Sequence, residues 1–514
     1  MNYYLDNFED EMDDFQKVNT SGKHFPFSNI FNSSRMGLTS TITTTVRLVK
    51  PSPDYIKLGD VLHFVVQSKD DGGRPRPSGG DFWLPVMRGK TEDGFETSMA
   101  GRVVDHRNGS YSIYFIAAWV GNASIHVVLA MTAEAVDWFE NQFSTANISP
   151  TWNGIFINGS IRVLAKCAIF TTAVVSEKCV YRRPSALKFT SFVCDVPNGL
   201  PCGSLTFLTD GISANNRFFT KLLTDRNDLS AIPFLDKIHE GLTYIKCFPN
   251  VLFSGKSEEK LITTTRLAAP VCKPELRDML SEGFWVNGRW HILSCRSGNL
   301  DSKISRLKCL EGRNIILSGD STTRQWYTVL NELLGKPIKP TGALIFNANI
   351  HYPENNINIS FIFHPMSVHP HGYFVNLSQV YFEEELLHRI KPNDCENTII
   401  VISPWAHFVG WPWRAFLDYA NGIREGVAYV RKVCPNLPIF LKSSHIIEHT
   451  PNNIGKNWLS RRISFTLRDI LSGLRVNFLN VWDITLSSNF DIKLHMHKKV
   501  IIAELELFFQ HLHC

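Results

Sequence analysis

A serine at the start of a predicted helix is the first candidate for chemistry in this sequence. The segment Asn314–Gly335 reads NIILSGDSTTRQWYTVLNELLG, in which a short apolar run predicts a buried strand and a polar turn leads into Ser321. Apolar residues at three- and four-residue steps then predict a helix, so free backbone N–H groups and the positive end of the helix dipole converge on this serine. Its hydroxyl is a candidate nucleophile, and a serine that only caps the helix is the alternative.

A serine nucleophile requires a base that accepts its proton and a group that orients the base. The loop between the last predicted strand and the last predicted helix reads DIKLHMH and carries His495 and His497. Such a loop returns to the end of the sheet where Ser321 lies, so either histidine could act as the base. Asp491 or Asp483 could then fix its tautomer. The alternative is a solvated loop whose histidines lie on the surface.

Further groups near this serine are candidates for binding the oxyanion or the substrate. Backbone N–H groups at Gly319 and Ser321 would stabilise a tetrahedral oxyanion. Arg324 lies one turn into the predicted helix and could hold an anionic group or form a structural ion pair. His407 follows the apolar run Thr398–Ile402 and could donate to the oxyanion or contact the substrate, although a polar residue at the start of a loop is commoner.

The elements that must position these residues alternate between strand and helix from about residue 281 to the C-terminus. Apolar runs at Thr398–Ile402 and Ile439–Leu441 predict further strands, and helical periodicity follows each of them. Repeated β-α units predict a parallel sheet covered on both faces, which is a doubly wound α/β domain over residues 281–514. Sites in such domains form beyond the carboxyl ends of the strands, where the sequence places Ser321, the His407 loop and the segment around His495.

The residues before this domain divide into three segments. Residues 1–38 lack periodicity and are predicted to be a flexible leader. Residues 39–165 combine short alternating strands with turn signals, which predicts an immunoglobulin-like β-sandwich of the kind that binds or spaces. Residues 166–280 carry cysteines among short apolar segments and are predicted to be a disulfide-stapled connector. No Cys-x-x-Cys pair has a matching second pair, so no metal site is expected.

Composition favours packed domains in an oxidising compartment. The formal net charge of +5 over 514 residues, without a Lys/Arg-rich run, gives no electrostatic support to a nucleic-acid partner. Eleven cysteines and several Asn-Xaa-Ser/Thr sites favour disulfides and glycans. The N-terminus is acidic and shows no secretory signal, so this sequence is expected to lack its targeting segment or to begin after it.

Taken together, these residues resemble the neurexophilin and PC-esterase domain family. The segment Asp105–Tyr111 and the cysteine-rich stretch look like the neurexophilin-related half. The parts that look like the esterase half are Gly283–Trp290, Gly319–Trp326, Ile400–Phe408 and the His495 loop. The Gly-Asp-Ser-x-x-Arg motif with its following tryptophan is similar to that of plant and fungal proteins that acetylate polysaccharides. Their fold, which the resemblance implies for this domain, is that of the SGNH hydrolases, a flavodoxin-like α/β fold.

The resemblance implies Ser321 as the acyl-accepting nucleophile and His495 as its base. The related enzymes favour an aspartate three residues before the histidine, whereas Asp491 lies four before His495 and Lys493 intervenes. His497 stands in place of the usual proline-rich continuation. These departures leave open whether the triad is complete.

The sequence therefore predicts a glycan O-acetyltransferase or O-acyl esterase. It would transfer an acyl group, acetyl by resemblance, to or from sugar hydroxyls of glycoprotein glycans such as sialic acid. No cofactor is expected to be bound, and the acyl donor could be acetyl-CoA. The alternative is a secreted or luminal glycoprotein that binds a cell-surface partner through its sandwich, with an inactive esterase-like domain. Both predictions place the protein in the secretory pathway, in the Golgi lumen or outside the cell, and leave its oligomeric state open.

Overall fold

The computed structural model is a mixed α/β protein with several β-sheets and disulfides. It describes residues 37–50, 56–143, 149–171, 177–181, 190–212, 243–245, 251–253, 261–263, 269–274, 280–296, 302–338, 347–366, 374–448 and 455–512. Residues 1–36 of the predicted leader fall outside these ranges, as does Cys247 of the predicted connector. Within the ranges, no helix is both long and apolar enough to cross a membrane.

Strands dominate the first half of the chain. In chain order they are β1 (Thr45–Lys50), β2 (Val61–Gln67), β3 (Phe82–Thr91), β4 (Glu96–Ala100), β5 (Arg102–Asp105), β6 (Ser110–Ile116), β7 (Gly121–Met131), β8 (Thr151–Asn158), β9 (Ile161–Thr171), β10 (Lys178–Tyr181), β11 (Thr190–Asp195), β12 (Leu205–Ile212), β13 (Thr243–Ile245) and β14 (Val251–Phe253). A short helix, α1 (Ala133–Trp138), follows β7 where the sequence predicts none, and a π-helical turn (Phe139–Phe143) extends it.

The second half alternates strands and helices, as its periodicity predicts. Its strands are β15 (Gly283–Val286), β16 (Arg289–Ile292), β17 (Asn314–Gly319), β18 (Asn347–Tyr352), β19 (Ile357–Phe363), β20 (Val375–Asn376), β21 (Thr398–Ser403), β22 (Ile439–Lys442) and β23 (Asn477–Leu479). Its helices are α2 (Lys303–Leu310), α3 (Ser321–Leu333), α4 (Glu383–Leu387), α5 (Trp413–Val433), α6 (Lys456–Ile470), α7 (Trp482–Leu486) and α8 (Lys498–Gln510).

Two antiparallel sheets pack on one core in the N-terminal half. One has the order β1-β2-β6-β5, and the other has the order β13-β7-β3-β4-β15-β16 with β14 also on β7. Leu62, Phe64 and Val66 alternate along β2 as buried residues, and they pack in the same cluster as Met99 and Ile125 of the facing sheet. This is the two-sheet arrangement that the sequence predicts, and the immunoglobulin-like connectivity stays a prediction.

A third antiparallel sheet includes strands from the segment that the sequence predicts to be a connector. Its order is β10-β11-β9-β8-β12-β20, so its last strand comes from the C-terminal half. Disulfides Cys167–Cys194 and Cys179–Cys202 join residues of this sheet and of the turn before β12. The segment is therefore disulfide-stapled as predicted, and the residues that it contributes to β9, β10, β11 and β12 are sheet rather than connection.

The C-terminal sheet has the order β18-β19-β17-β21-β22-β23 and is parallel except for β18. All residues of β21, whose sequence is TIIVIS, are buried, as expected for a strand covered on both faces. Numbered along the chain, the parallel strands run 2-1-3-4-5, which is the order of doubly wound, flavodoxin-like sheets. The SGNH assignment within that class stays a prediction.

The hairpin of β15 and β16, which the sequence assigns to the esterase domain, joins a sheet of the N-terminal half. Trp285 of β15 pairs with Ser98 of β4, which adds the hairpin to a sandwich sheet. Positive φ angles at Asn287 and Gly288 give the turn the twist that a two-residue hairpin requires. Trp285 and Trp290 are both buried and pack edge to face, with centroids 5.4 Å apart. Neither tryptophan is therefore a surface platform for sugars.

Candidate active site

The candidate site lies at the carboxyl end of the parallel sheet, between β17 and β21. Gly319 ends β17 and pairs with Phe363 of β19 and with Ser403 of β21. These two neighbours of β17 lie on opposite sides of the point where the strand order reverses, which is where such sheets bind ligands. A Cβ atom on Gly319 would lie 2.8 Å from the carbonyl oxygen of Ser403, so only glycine permits this close approach.

Asp320 joins the loops that leave β17 and β21. Its buried Oδ1 accepts hydrogen bonds from the backbone N–H of Thr322 at 2.8 Å and from the hydroxyl of Thr322 at 2.7 Å. Its Oδ2 accepts the backbone N–H of Ala406 at 2.8 Å. Asp320 thus caps α3 and fixes the loop after β21 at the same time. It is absent from the residues that the sequence predicts for the site, although an aspartate directly before a helix is a recognisable cap signal.

Ser321 and His495 are in direct contact. The hydroxyl of Ser321, the first residue of α3, lies 2.8 Å from Nε2 of His495. Ser321 is buried, whereas His495 is exposed, so a substrate can approach the pair from the side of the histidine. His497 is excluded as the partner of Ser321, because its ring stacks on Phe490 with centroids 4.5 Å apart and its Nδ1 caps α8. The contact expected from the sequence is therefore present.

Neither predicted acid lies beside the imidazole. Asp491 has an 86% exposed side chain, and its carboxylate lies 3.6 Å from Nζ of Lys493. Asp483 is buried against the sandwich, 3.6 Å from Arg102. Among the described residues, no hydrogen bond joins either carboxylate to His495. In this structure Ser321 and His495 form a dyad, and the orienting role expected of Asp491 has no geometric support.

The environment of His495 keeps its imidazole neutral. Burial of the ring atoms by neighbouring protein lowers the pKa of His495 below its ordinary value of 6.5, although part of the residue faces solvent. The positive charge of Arg324 lowers this pKa further, and the negative charge of Asp320 opposes the change. A general base must be unprotonated to accept a proton, so the net effect keeps His495 competent below neutral pH.

Arg324 and His407 lie on two sides of this site. Arg324 is half-buried in the first turns of α3, from where its charge acts on His495. His407 lies in the loop after β21 and packs edge-on against His364, with ring centroids 5.0 Å apart. His364 directly follows β19 and is buried, so the ends of three adjacent strands contribute polar residues to one edge of the sheet. The sequence does not predict His364, because β19 itself is missed and an isolated histidine carries no signal.

Two families of known proteins match this chain. Residues 290–514 match the family model described as NXPE family member 4-like, C-terminal domain, and residues 78–237 match the neurexophilin family model. The first match contains Ser321, Asp320 and His495, and the second contains strands β3 to β7 of the sandwich. The chain belongs to the neurexophilin and PC-esterase domain family. Its C-terminal domain is accordingly PC-esterase-like, a domain type associated with acyl transfer and ester hydrolysis.

Both families consist of secreted or secretory-pathway proteins. The disulfides Cys272–Cys295 and Cys395–Cys434, together with Cys167–Cys194 and Cys179–Cys202, agree with folding in an oxidising compartment. Asn108, Asn122 and Asn158 each begin an Asn-Xaa-Ser sequence and are exposed, as glycosylation requires.

Proposed function

We propose that this protein transfers an acetyl group to sugar hydroxyls of glycoprotein glycans through Ser321. The observation that carries the proposal is the 2.8 Å contact between the Ser321 hydroxyl and His495 Nε2, at the edge of the sheet where such domains bind ligands. The resemblance of the Gly-Asp-Ser-x-x-Arg motif to polysaccharide-acetylating proteins supports acetyl as the acyl group. An activated ester or thioester such as acetyl-CoA would be the donor substrate, and sialic acid is one candidate acceptor.

In the first half-reaction, Ser321 Oγ attacks the carbonyl carbon of the donor while His495 Nε2 takes the hydroxyl proton. The C–S or C–O bond to the leaving group then breaks, and the leaving group receives that proton from His495. An acetyl ester remains on Ser321. The backbone N–H of Ser321 is at the first position of α3, where N–H groups have no partner within the helix, so it is a suitable donor to the oxyanion.

The second half-reaction reverses these roles. A sugar hydroxyl gives its proton to His495 Nε2 and attacks the acetyl carbonyl carbon, and the ester bond to Ser321 breaks as Oγ takes the proton back. Water in place of the sugar would give hydrolysis instead of transfer. The low pKa of His495 suits both halves, because a neutral imidazole is needed at the start of each.

The test compares the purified full chain with Ser321→Ala. Each protein is incubated with isotope-labelled acetyl-CoA and a sialylated glycoprotein, and the released glycans are analysed by mass spectrometry. The parent is expected to add labelled acetyl groups to the glycans. The acetylation rate of Ser321→Ala is expected to be at least about 1,000-fold lower. The parent, quenched during turnover, should also carry acetyl on the peptide that contains Ser321.

A matched control is Ser302→Ala, which removes a hydroxyl that caps α2 through a 3.0 Å bond to the backbone N–H of Ser305. This variant also loses a serine at a helix N-terminus, but that serine has no histidine partner among the described residues. It should retain transfer activity. Equal glycan acetylation by the parent and Ser321→Ala would overturn the proposal.

A second candidate function is binding of a cell-surface protein through the sandwich. The neurexophilin match over residues 78–237 favours it, as does the position of Asp491 away from His495. The candidate predicts that the secreted Ser321→Ala protein still binds cells as the parent does. If the Ser321→Ala protein loses cell binding as well as acetylation, cell binding depends on the acetylated glycan instead.

A further inference from the structure

Side chains from other elements hold the two residues that flank His495. Nε2 of Gln325 donates to the carbonyl oxygen of Met496 at 3.0 Å, and the backbone N–H of Met496 donates to Oε1 of Gln325 at 3.2 Å. On the other side, Nε2 of His445 lies 2.8 Å from the carbonyl oxygen of Leu494. Because a carbonyl oxygen only accepts, His445 carries its proton on Nε2. The backbone is thus held immediately before and immediately after His495.

His445 is itself fixed in the core. It is fully buried, and its Nδ1 lies 3.8 Å from Oε1 of Glu504. Burial tends to raise the pKa of Glu504, but the charge of Lys442 and the interaction with His445 outweigh burial and lower it. Glu504 also accepts a hydrogen bond from the indole N–H of Trp326. The ring of His445 also packs edge to face on Trp405, with centroids 4.8 Å apart, so packing in the core sets the position of the ring that holds Leu494.

We propose that Gln325 and His445 are positioning residues that keep His495 within reach of Ser321, in place of the aspartate of a triad. The inference rests on the proposed function, since it assigns roles within that site. Gln325 lies one turn after Ser321 on α3, so the helix that carries the nucleophile also holds the backbone beside its base. The separation of Oγ and Nε2 then depends on α3, on the buried His445 and on side-chain rotation of His495.

Gln325→Met tests the contribution of the amide, because methionine has a similar length and forms neither bond to Met496. The probe is a fluorophosphonate, whose phosphorus forms a bond to Ser321 Oγ while the P–F bond breaks, fluoride leaves and His495 takes the hydroxyl proton. In the full-length protein, the maximal labelling rate is expected to fall about 10- to 100-fold, while the half-saturating concentration of the probe stays within about twofold.

The double variant Gln325→Met/His495→Ala separates positioning from a structural role. If Gln325 acts through His495, the double variant is labelled no more slowly than His495→Ala alone. An additive loss would show that Gln325 acts on stability or on probe binding, and would overturn the inference. Glu332→Gln is the matched control: it breaks the exposed 2.5 Å contact between α3 and Lys498 at the start of α8 without touching Met496, and should label like the parent.

Gln325→Glu keeps the shape of the side chain and the acceptor for the N–H of Met496, but it loses the donor to the carbonyl. It therefore tests the inference even where Gln325→Met fails to fold. Its maximal labelling rate should fall without a change in half-saturation, and adding Gln325→Glu to His495→Ala should cause no further loss. A Gln325→Glu rate equal to that of the parent would overturn the inference. If Ser321→Ala is labelled as fast as the parent, the proposed function fails; if only Ser321→Ala loses labelling, the positioning role alone fails.

Discussion

Each half of this molecule contains a buried aspartate that accepts hydrogen bonds from neutral groups. In the sandwich, Asp81 accepts the hydroxyls of Thr39 at 3.0 Å and Ser68 at 2.7 Å, and the backbone N–H of Ala133 at 2.8 Å. In the C-terminal domain, Asp320 accepts two bonds from Thr322 and one from the N–H of a neighbouring loop. The two networks use the same chemistry to join separate segments of chain.

The two aspartates have different neighbours, because one lies in an antiparallel sheet and the other in a parallel sheet. Asp81 precedes β3 of an antiparallel sheet, in which neighbouring strands end at opposite edges, so its network joins Thr39, Ser68 and the first residue of α1 without gathering the carboxyl ends of adjacent strands. Asp320 follows β17 of a parallel sheet, in which the carboxyl ends of adjacent strands share one edge. Its network therefore places a helix N-terminus and its serine next to other loops. The comparison teaches that a buried carboxylate organises loops in both halves, and that strand direction decides whether a reactive pair forms beside it.

Among the variants that test this comparison, the largest effect is expected from changing Asp320. In Asp320→Asn, the amide NH₂ would face the backbone N–H of either Thr322 or Ala406, because asparagine has one acceptor oxygen. Acetyl transfer should fall at least about 100-fold, and the unfolding free energy should fall by about 1–3 kcal/mol. Steady-state transfer rates and urea unfolding measure the two effects.

Asp81→Asn is the matched control, since its amide can donate to the Ser68 hydroxyl and transfer should stay within about twofold. Burial raises the pKa of Asp81 from 3.8 to about 6, so the folded state binds the proton more tightly than the unfolded state. The stability contributed by that proton is present below the ordinary pKa and is lost as pH rises through about 6. The Asp81→Asn protein should not show this loss of stability with rising pH. A larger activity loss in Asp81→Asn than in Asp320→Asn would contradict the comparison.

A smaller effect is expected at Arg324 and should appear in the pH profile. Transfer requires neutral His495, so activity falls as pH falls through the pKa of this group, which lies below 6.5. Arg324→Gln removes a positive charge that lowers this pKa, so the acidic limb of kcat/KM should move to higher pH.

The control for this shift is Arg389→Gln, which removes a guanidinium that stacks on Tyr381 at 3.7 Å. Its acidic limb should coincide with that of the parent. If the acidic limb of the kcat/KM profile of Arg324→Gln stays in place or moves to lower pH, a group other than His495 controls the profile.

The smallest effect is expected at Asp491. Its carboxylate is exposed and pairs with Lys493, which is also exposed, and such pairs contribute little in water. Asp491→Asn should therefore change kcat/KM by less than about threefold. A loss near that of Asp320→Asn would mean that Asp491 reaches His495 during turnover, and would restore the triad.

Much of the C-terminal fold could be predicted from local patterns. The strand before Ser321, the helix after it and the strand Thr398–Ser403 lie within a residue or two of where periodicity places them. The pair β18 and β19 is missed, although β19 borders the site. That the tryptophan hairpin joins a sandwich sheet through β4 is also missed, because its short strands carry no signal for which sheet they join.

The sequence by itself determined that Ser321 would begin a helix after a buried strand, because propensity, capping and apolar spacing act over a few neighbouring residues. It also determined that the last loop would carry a histidine towards that serine. Only the tertiary structure decided which histidine makes the contact, that Asp491 points to solvent, and that Gln325 holds the backbone of Met496. These outcomes depend on residues 174 and 171 positions apart, whose meeting is set by packing between elements rather than by any pattern within one of them.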